Sequence, residues 1–210
     1  AVVLHGFFLV VFSYYRISHF KWDDMVPSWF VPPIGIVVAC LTVPTPALIV
    51  IAHVIVWIGL VMYGVLLPLM IHRLCVEPSV DDARKPTLAI MAAPASLTLS
   101  GYLTITPHPN VVLTIFLLSL SITMIVSVYI MLLRLLRLNF SPAFSAFTFP
   151  LAISATAALK ASFWMQSEPL LKLQSHILYS AALIEGVIAT CVIGYVLCLY
   201  LHHIKRIAHA

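Results

Sequence analysis

The polar residues of this chain are confined to a few short breaks, and the stretches between them are apolar on every side. Seven apolar segments can be marked, at residues 1–19, 27–43, 47–72, 87–106, 110–133, 143–165 and 173–201. The breaks read KWDDMVPS, VPTP, RLCVEPSVDDARKP, TPHPN, RLLRLNFSP and QSEPLLK. A spanning helix needs about 20 apolar residues, so the pattern predicts seven transmembrane helices joined by short links. Membrane β-barrel strands alternate every second residue over about ten residues, and these runs do not, which excludes a barrel. No break is long enough for a soluble domain. Residues 1–210 therefore read as a single transmembrane domain, all-α and polytopic.

Composition agrees with the pattern. Of 210 residues, 62% are hydrophobic and 9% charged, where a soluble domain carries about 25% charged residues. This excludes a water-soluble globule, a disordered chain and a nucleic-acid partner, despite the net charge of +4. The charges speak to topology instead. Arg16, Lys21, Arg73, Arg84, Lys85, Arg134, Arg137, Lys205 and Arg206 fall on one side of the alternating spans, and Lys160 and Lys172 on the other. The positive-inside bias places the first side, with the C-terminus, in the cytoplasm and Ala1 outside. The opening AVVLHGFFLVVF has no basic n-region and no cleavage site, so it reads as a span and not a signal peptide. Cys40, Cys75, Cys191 and Cys198 lack metal-type or CxxC spacing and read as packing residues. No bound metal and no cofactor is expected.

Three spans open alike: VPSWFVPPIG, KPTLAIMAAP and SPAFSAFTFP. The leading prolines Pro27, Pro86 and Pro142 suit a first helical position, where the missing N–H costs nothing. A second proline follows, at Pro33, Pro94 and Pro150, six, eight and eight residues on. The units start 59 and 56 residues apart, the length of a helical hairpin. Interior prolines bend helices, and in a bilayer the bend persists where neighbours or cavity water satisfy the freed carbonyl. The second prolines lie about 9–12 Å from the cytoplasmic start, approaching mid-membrane. Three bends at similar depth predict kinks lining a pore. Small or weakly polar residues on these spans, Ala93, Ser96, Ser145 and Thr148 among them, are candidate lining positions. The return spans are richer in Leu, Ile and Val and are expected to face lipid.

At WFVPPIG, KPTLAIMAAPASL and FSAFTFPLAISA the chain resembles the tellurite-resistance/dicarboxylate transporter family, which includes TehA-like bacterial channels and the plant slow anion channels. The resemblance covers essentially the whole chain. It implies ten helices in five hairpins around a pore, assembly as a homotrimer, and no enzymatic activity. It further implies that the three proline spans here are the third, fourth and fifth inner helices, so that three spans precede Ala1 and the present chain is helices 4–10. In the family a phenylalanine plugs the pore, and the matching residue is Phe149 in FTFP. Aligned on the second proline, the other two units carry Ala93 and Pro32 in that slot. One large ring facing small neighbours fits a hydrophobic constriction. Phe147 and Phe144 are lower-ranked alternatives.

Two charges within the spans are candidates for ion handling. Glu185 lies about twelve residues into the last span, where a carboxylate is costly. Lys160 lies near the outer end of the sixth. The expected function is passage of small anions across the lipid bilayer. The alternative is a proton-coupled carrier of C4-dicarboxylates or tellurite-related oxyanions. A remoter alternative is a membrane haem protein, with His5, His53 and His176 near the outer ends of their spans and His72 alone near the inner side.

Overall fold

The structure, a computed structural model, describes residues 2–42, 45–77 and 80–208. Ala1, from which the outside start was read, and Val43, the end of the second predicted span, lie outside the described residues. The α-helices are α1 (Val2–Ser18), α2 (Val31–Gly35), α3 (Ile49–Val76), α4 (Ala93–Ile105), α5 (Val111–Leu135), α6 (Thr148–Ser167) and α7 (Lys172–Ala208), with no strand among the described residues. Five helical segments are long and apolar enough to cross a membrane: Pro46–Val76, Lys85–Ile105, Val111–Leu135, Pro142–Ser167 and Pro169–Ala208. Val2–Ser18 and Pro27–Thr42 are shorter.

The three proline spans differ from the expected kinked α-helices. Each begins as a 3-10 helix: Pro27–Phe30 before α2, Lys85–Ala92 before α4 and Pro142–Phe147 before α6. Each converts to α-helix one or two residues before its second proline. The reason lies in hydrogen-bond pairing. Where i→i−3 pairing gives way to i→i−4, two successive N–H groups compete for one carbonyl. A proline has no N–H, so placing it at the junction removes the surplus donor. The last 3-10 bonds run from Val31 N to Ser28 O, from Ala93 N to Ile90 O and from Thr148 N to Ser145 O. Pro32 and Pro94 follow at once and remove that donor; in the third unit Phe149 follows and Pro150 comes one residue later.

The 3-10 stretches also add reach. The second span returns to 3-10 pairing over Ile36–Thr42. At about 2.0 Å per 3-10 residue and 1.5 Å per α residue, Pro27–Thr42 extends about 30 Å, the thickness of the hydrocarbon layer. A segment short in residues is therefore long enough in ångströms.

The helix lying deepest in the molecule is α4, with every residue from Ala93 to Tyr102 buried. It packs against α3, α5 and α6. Ser96 Oγ ties it to α5 through Ser121 Oγ at 2.7 Å. The return helices α3, α5 and α7 expose their Leu, Ile and Val outward, as their composition predicts. Two of them run past the predicted ends. The polar tail of α3 reaches Val76, and α7 continues through LHHIKRIA, because helical pairing does not stop where the apolar run does.

Loops at the end of the bundle where the three proline spans begin are fixed by side chains. Arg73, buried at the end of α3, donates from Nε to Trp22 O at 2.6 Å. Arg16 lies over the Trp29 ring at 4.7 Å and 3.8 Å from Asp24. Beside the Lys85 start, the Arg84 side chain hydrogen-bonds Asp81 and holds its carboxyl below the usual carboxylate range. At the other end of the bundle, Asn110 Oδ1 caps α5 by accepting from Leu113 N at 3.0 Å.

Val37, fully buried in Ile36–Thr42, is held between α3 and α4. It sits against two glycines, Gly59 and Gly101, and a Cβ on Gly101 would lie 2.8 Å from Val37 Cγ1. Valine cannot turn away because its χ1 is stiff. Gly101→Ala is expected to cost about 1–3 kcal/mol. The cost should shrink in a Val37→Ala background, a coupling that thermal unfolding of the four purified proteins in a double-mutant cycle would read. Equal costs in both backgrounds would show that Val37 is not the obstacle.

Candidate functional site

The three proline spans and α1 enclose a cavity of about 610 Å³. The 3-10 stretches supply Phe30, Ile90 and Ser145 to its wall, and the first turns of the α-helices supply Val31, Ala93, Pro94, Phe149 and Pro150. None of α3, α5 or α7 contributes a wall residue among those described. The helix-type junctions thus converge on one space.

Phe149 stands out in this wall. It is 44% exposed, with its ring toward the open volume, whereas Phe144 and Phe147 are 0% exposed. Those two pack edge to face at 5.3 Å, and Phe144 also meets Phe140. They are core residues and not alternatives for a pore-facing ring. The difference is one of phase: Phe144 and Phe147 lie on the inner face of the 3-10 stretch, and the switch to α-helix turns Phe149 the other way.

Other predicted lining residues divide. Ala93, Pro94, Ser145 and Pro150 line the cavity. Pro33, Ser96 and Thr148 do not. Pro33 is buried on the opposite side of α2 from Val31. Ser96 is fully buried and faces α5, with Oγ bonded to Ala92 O and Ser121 Oγ. Thr148 donates from Oγ1 to Ser145 O at 2.7 Å and lies beside the wall. In all three the residue type suited a pore, and the helical phase put it elsewhere.

The wall is almost wholly apolar. Its polar side chains are His5, Ser28, Thr87 and Ser145, with no charged group among the described residues. The Thr87 and Ser145 hydroxyls donate to Arg84 O and Pro142 O at 2.7 and 3.0 Å. His5 Nε2 lies 2.8 Å from Pro32 O. A carbonyl only accepts, so Nε2 carries the proton. The bond ties α1 to the first of the three proline spans, 27 residues along the chain. His5 also rests on Gly35, where an added Cβ would lie 3.3 Å from His5 Cε1. Sequence reasoning missed this role. The readable signal was Gly35 shortly after two prolines, a position that leaves room for a neighbouring ring.

Of the two charges within the spans, neither lines the cavity. Glu185 on α7 accepts from Ser154 Oγ of α6 at 3.0 Å, inside the hairpin. Lys160 Nζ donates to Thr104 Oγ1 of α4. The histidines do not assemble. His53 Nδ1 meets Ile49 O of its own helix at 2.8 Å and His176 is exposed. No group of three or more His, Cys, Asp or Glu side chains able to hold a metal occurs among the described residues.

The geometry offers an apolar cavity with one exposed aromatic ring, Phe149, on its wall. Comparison with known proteins supplies one match. A family model described as voltage-dependent anion channel (SLAC1) matches residues 1–201. No curated protein and no solved structure matches the chain.

The His5 bond has a measurable consequence. His5→Ala removes the part-buried side-chain bond that joins α1 to Pro32 O, at an expected cost of about 1–3 kcal/mol. His53→Ala is expected to cost less, because its bond to Ile49 O lies within one helix and joins no two segments. Thermal midpoints of the two variants in detergent decide the order, and a larger loss for His53→Ala would contradict it.

Proposed function

Because the chain belongs to the voltage-dependent anion channel family, and is therefore an all-α integral membrane protein of the anion channel and transporter class, we propose that the 610 Å³ cavity is a segment of its conduction path. Small anions pass along the axis shared by the three proline spans, and Phe149 forms the constriction. The observation that carries this reading is the exposure of Phe149 into the cavity while its equivalent on α4, Ala93, leaves the opposite wall small. A ring of this size in an apolar wall blocks water as well as ions, since a narrow hydrophobic constriction dewets. The family resemblance supports assembly as a homotrimer with one pore in each subunit. The distribution of Arg and Lys supports a cytoplasmic C-terminus in a bacterial-type cytoplasmic membrane.

A second reading, the proton-coupled carrier of dicarboxylates or tellurite-related oxyanions, has one observation in its favour. Glu185 is a carboxylate in mid-span with a hydrogen-bond partner on the neighbouring helix. Its place inside the α6–α7 hairpin, off the cavity wall, favours a packing role instead.

Reconstituted vesicles separate the readings. Phe149→Ala is expected to raise chloride or nitrate flux by about tenfold or more, equivalent to removing about 1.4 kcal/mol of barrier, with no requirement for a pH gradient. Unchanged flux would refute the constriction. Glu185→Gln is expected to leave that flux in place, and abolition of uptake by it would establish the carrier.

A further inference from the structure

We infer that Lys160 and Thr104 form an anion-binding site at the outer end of this path, a reading that rests on the cavity being part of the pore. The inference starts from helical phase. Thr104 lies eleven residues after Ala93 on α4, and Lys160 eleven after Phe149 on α6. Both intervals run entirely through α-helix. Eleven residues make about three turns with about 20° of drift, and about 16 Å of rise. Thr104 and Lys160 therefore stand on the faces that line the cavity, further toward the outer surface.

The repeat gives the same answer independently. Lys160 is the tenth residue after Pro150 and Thr104 the tenth after Pro94. They are the same position of two related units, and their side chains meet: Lys160 Nζ donates to Thr104 Oγ1. Equivalent side chains of neighbouring related helices meet in this way when both face the axis between them.

The chemistry at this contact is incomplete without an anion. The Thr104 hydroxyl gives its own hydrogen to Ser100 O at 2.6 Å, so toward Lys160 it acts as the acceptor. An ammonium has three N–H donors, and this bond uses one. The ion pairs among the described residues are Arg16–Asp24, Arg84–Asp81 and Lys85–Asp82, and Lys160 is in none of them. One turn inward, Ser100 Oγ is enclosed and has no partner among the described residues. Thr104 is exposed and Lys160 half-buried, so the site is reachable from the outer side. A single ammonium lacks the planar fork that grips carboxylate or phosphate in two places. The ligand it suits is a compact monovalent inorganic anion such as a halide or nitrate. Lys160 captures that anion, partly stripped of water, before it meets the apolar cavity.

The test uses chloride flux through the full protein in vesicles, in a Phe149→Ala background, so that the constriction does not mask entry. Lys160→Gln should raise the half-saturating external chloride about tenfold, the scale of losing one partly screened charge at contact, and should lower the chloride-to-sodium permeability ratio. Lys160→Arg should retain both values within about twofold, since the charge is kept. Thr104→Val, which keeps the charge and removes only its positioning oxygen, should move half-saturation the same way by about two- to threefold. It serves as the second probe where Lys160→Gln assembles poorly. Unchanged half-saturation in both Lys160→Gln and Thr104→Val overturns the site. So does a Lys160→Arg protein as impaired as Lys160→Gln, which would make the role one of packing. Failure of the pore reading is separate, because it shows as absent flux gain in Phe149→Ala before Lys160 is changed.

Discussion

Inside a bilayer no water reaches the backbone, so each N–H and carbonyl has to find its partner within the protein. The arrangement of the three proline spans follows from that requirement. A helix that changes from 3-10 to α pairing generates one donor too many, and a proline at the change removes it. A helix that changes back generates one carbonyl too many. Beside the cavity, the His5 side chain from α1 adds a donor to Pro32 O, just before such a change. Prolines that look like defects in an apolar sequence thus suit the switch in the first two units, and in the third Pro150 lies one residue beyond it.

Much else depends on that mixture. A 3-10 stretch is thinner and longer per residue than an α-helix. It brings the backbones of the Pro27, Lys85 and Pro142 stretches onto one cavity and lets a sixteen-residue segment reach across the hydrocarbon layer. The stretches are held at their leading-proline ends by groups from elsewhere. Ser141 Oγ donates to Ala83 O at 3.0 Å, and Tyr200 OH of α7 donates to Pro142 O at 2.6 Å. Gly59 and Gly101 let the returning 3-10 segment seat Val37 against α3 and α4. The cavity is therefore bounded by backbone held at both ends, and its shape is set by the fold more than by side-chain bulk.

What could be read from the sequence was the pattern that repeats. Apolar runs marked the spans to within a few residues where a polar break follows, and failed for α3 and α7, whose helical pairing outlasts the apolar run. The paired prolines marked where each unit changes character, although the change proved to be of helix type. Residue-level assignments depended on phase, and phase is altered by the switch itself. About 20° separates the per-residue turn of a 3-10 helix from that of an α-helix, so an α-helical wheel drawn from Pro142 points Phe144, Phe147 and Phe149 in the wrong relative directions. Ser96 was misplaced for a different reason. A serine on an inner helix is as apt for hydrogen-bonding a neighbouring helix as for facing a pore, and Ser121 on α5 decides the matter.

The distribution of charge completes the physical picture. An ion entering an apolar cavity loses hydration that a wall without charged groups does not replace. A fixed cation inside the cavity would repair that loss but would also hold the anion, and conduction requires binding weak enough to release. The proposed path separates the two requirements along its length. The cavity wall carries no charge among its described residues, and the nearest lysine on the same helical faces is Lys160, three turns beyond Phe149, where water is available to share the anion. Glu185, the carboxylate that would repel an anion, is turned into the α6–α7 hairpin and tied to Ser154. In the proposed path, attraction at Lys160 and narrowing at Phe149 thus fall on different residues of one helix, about three turns apart.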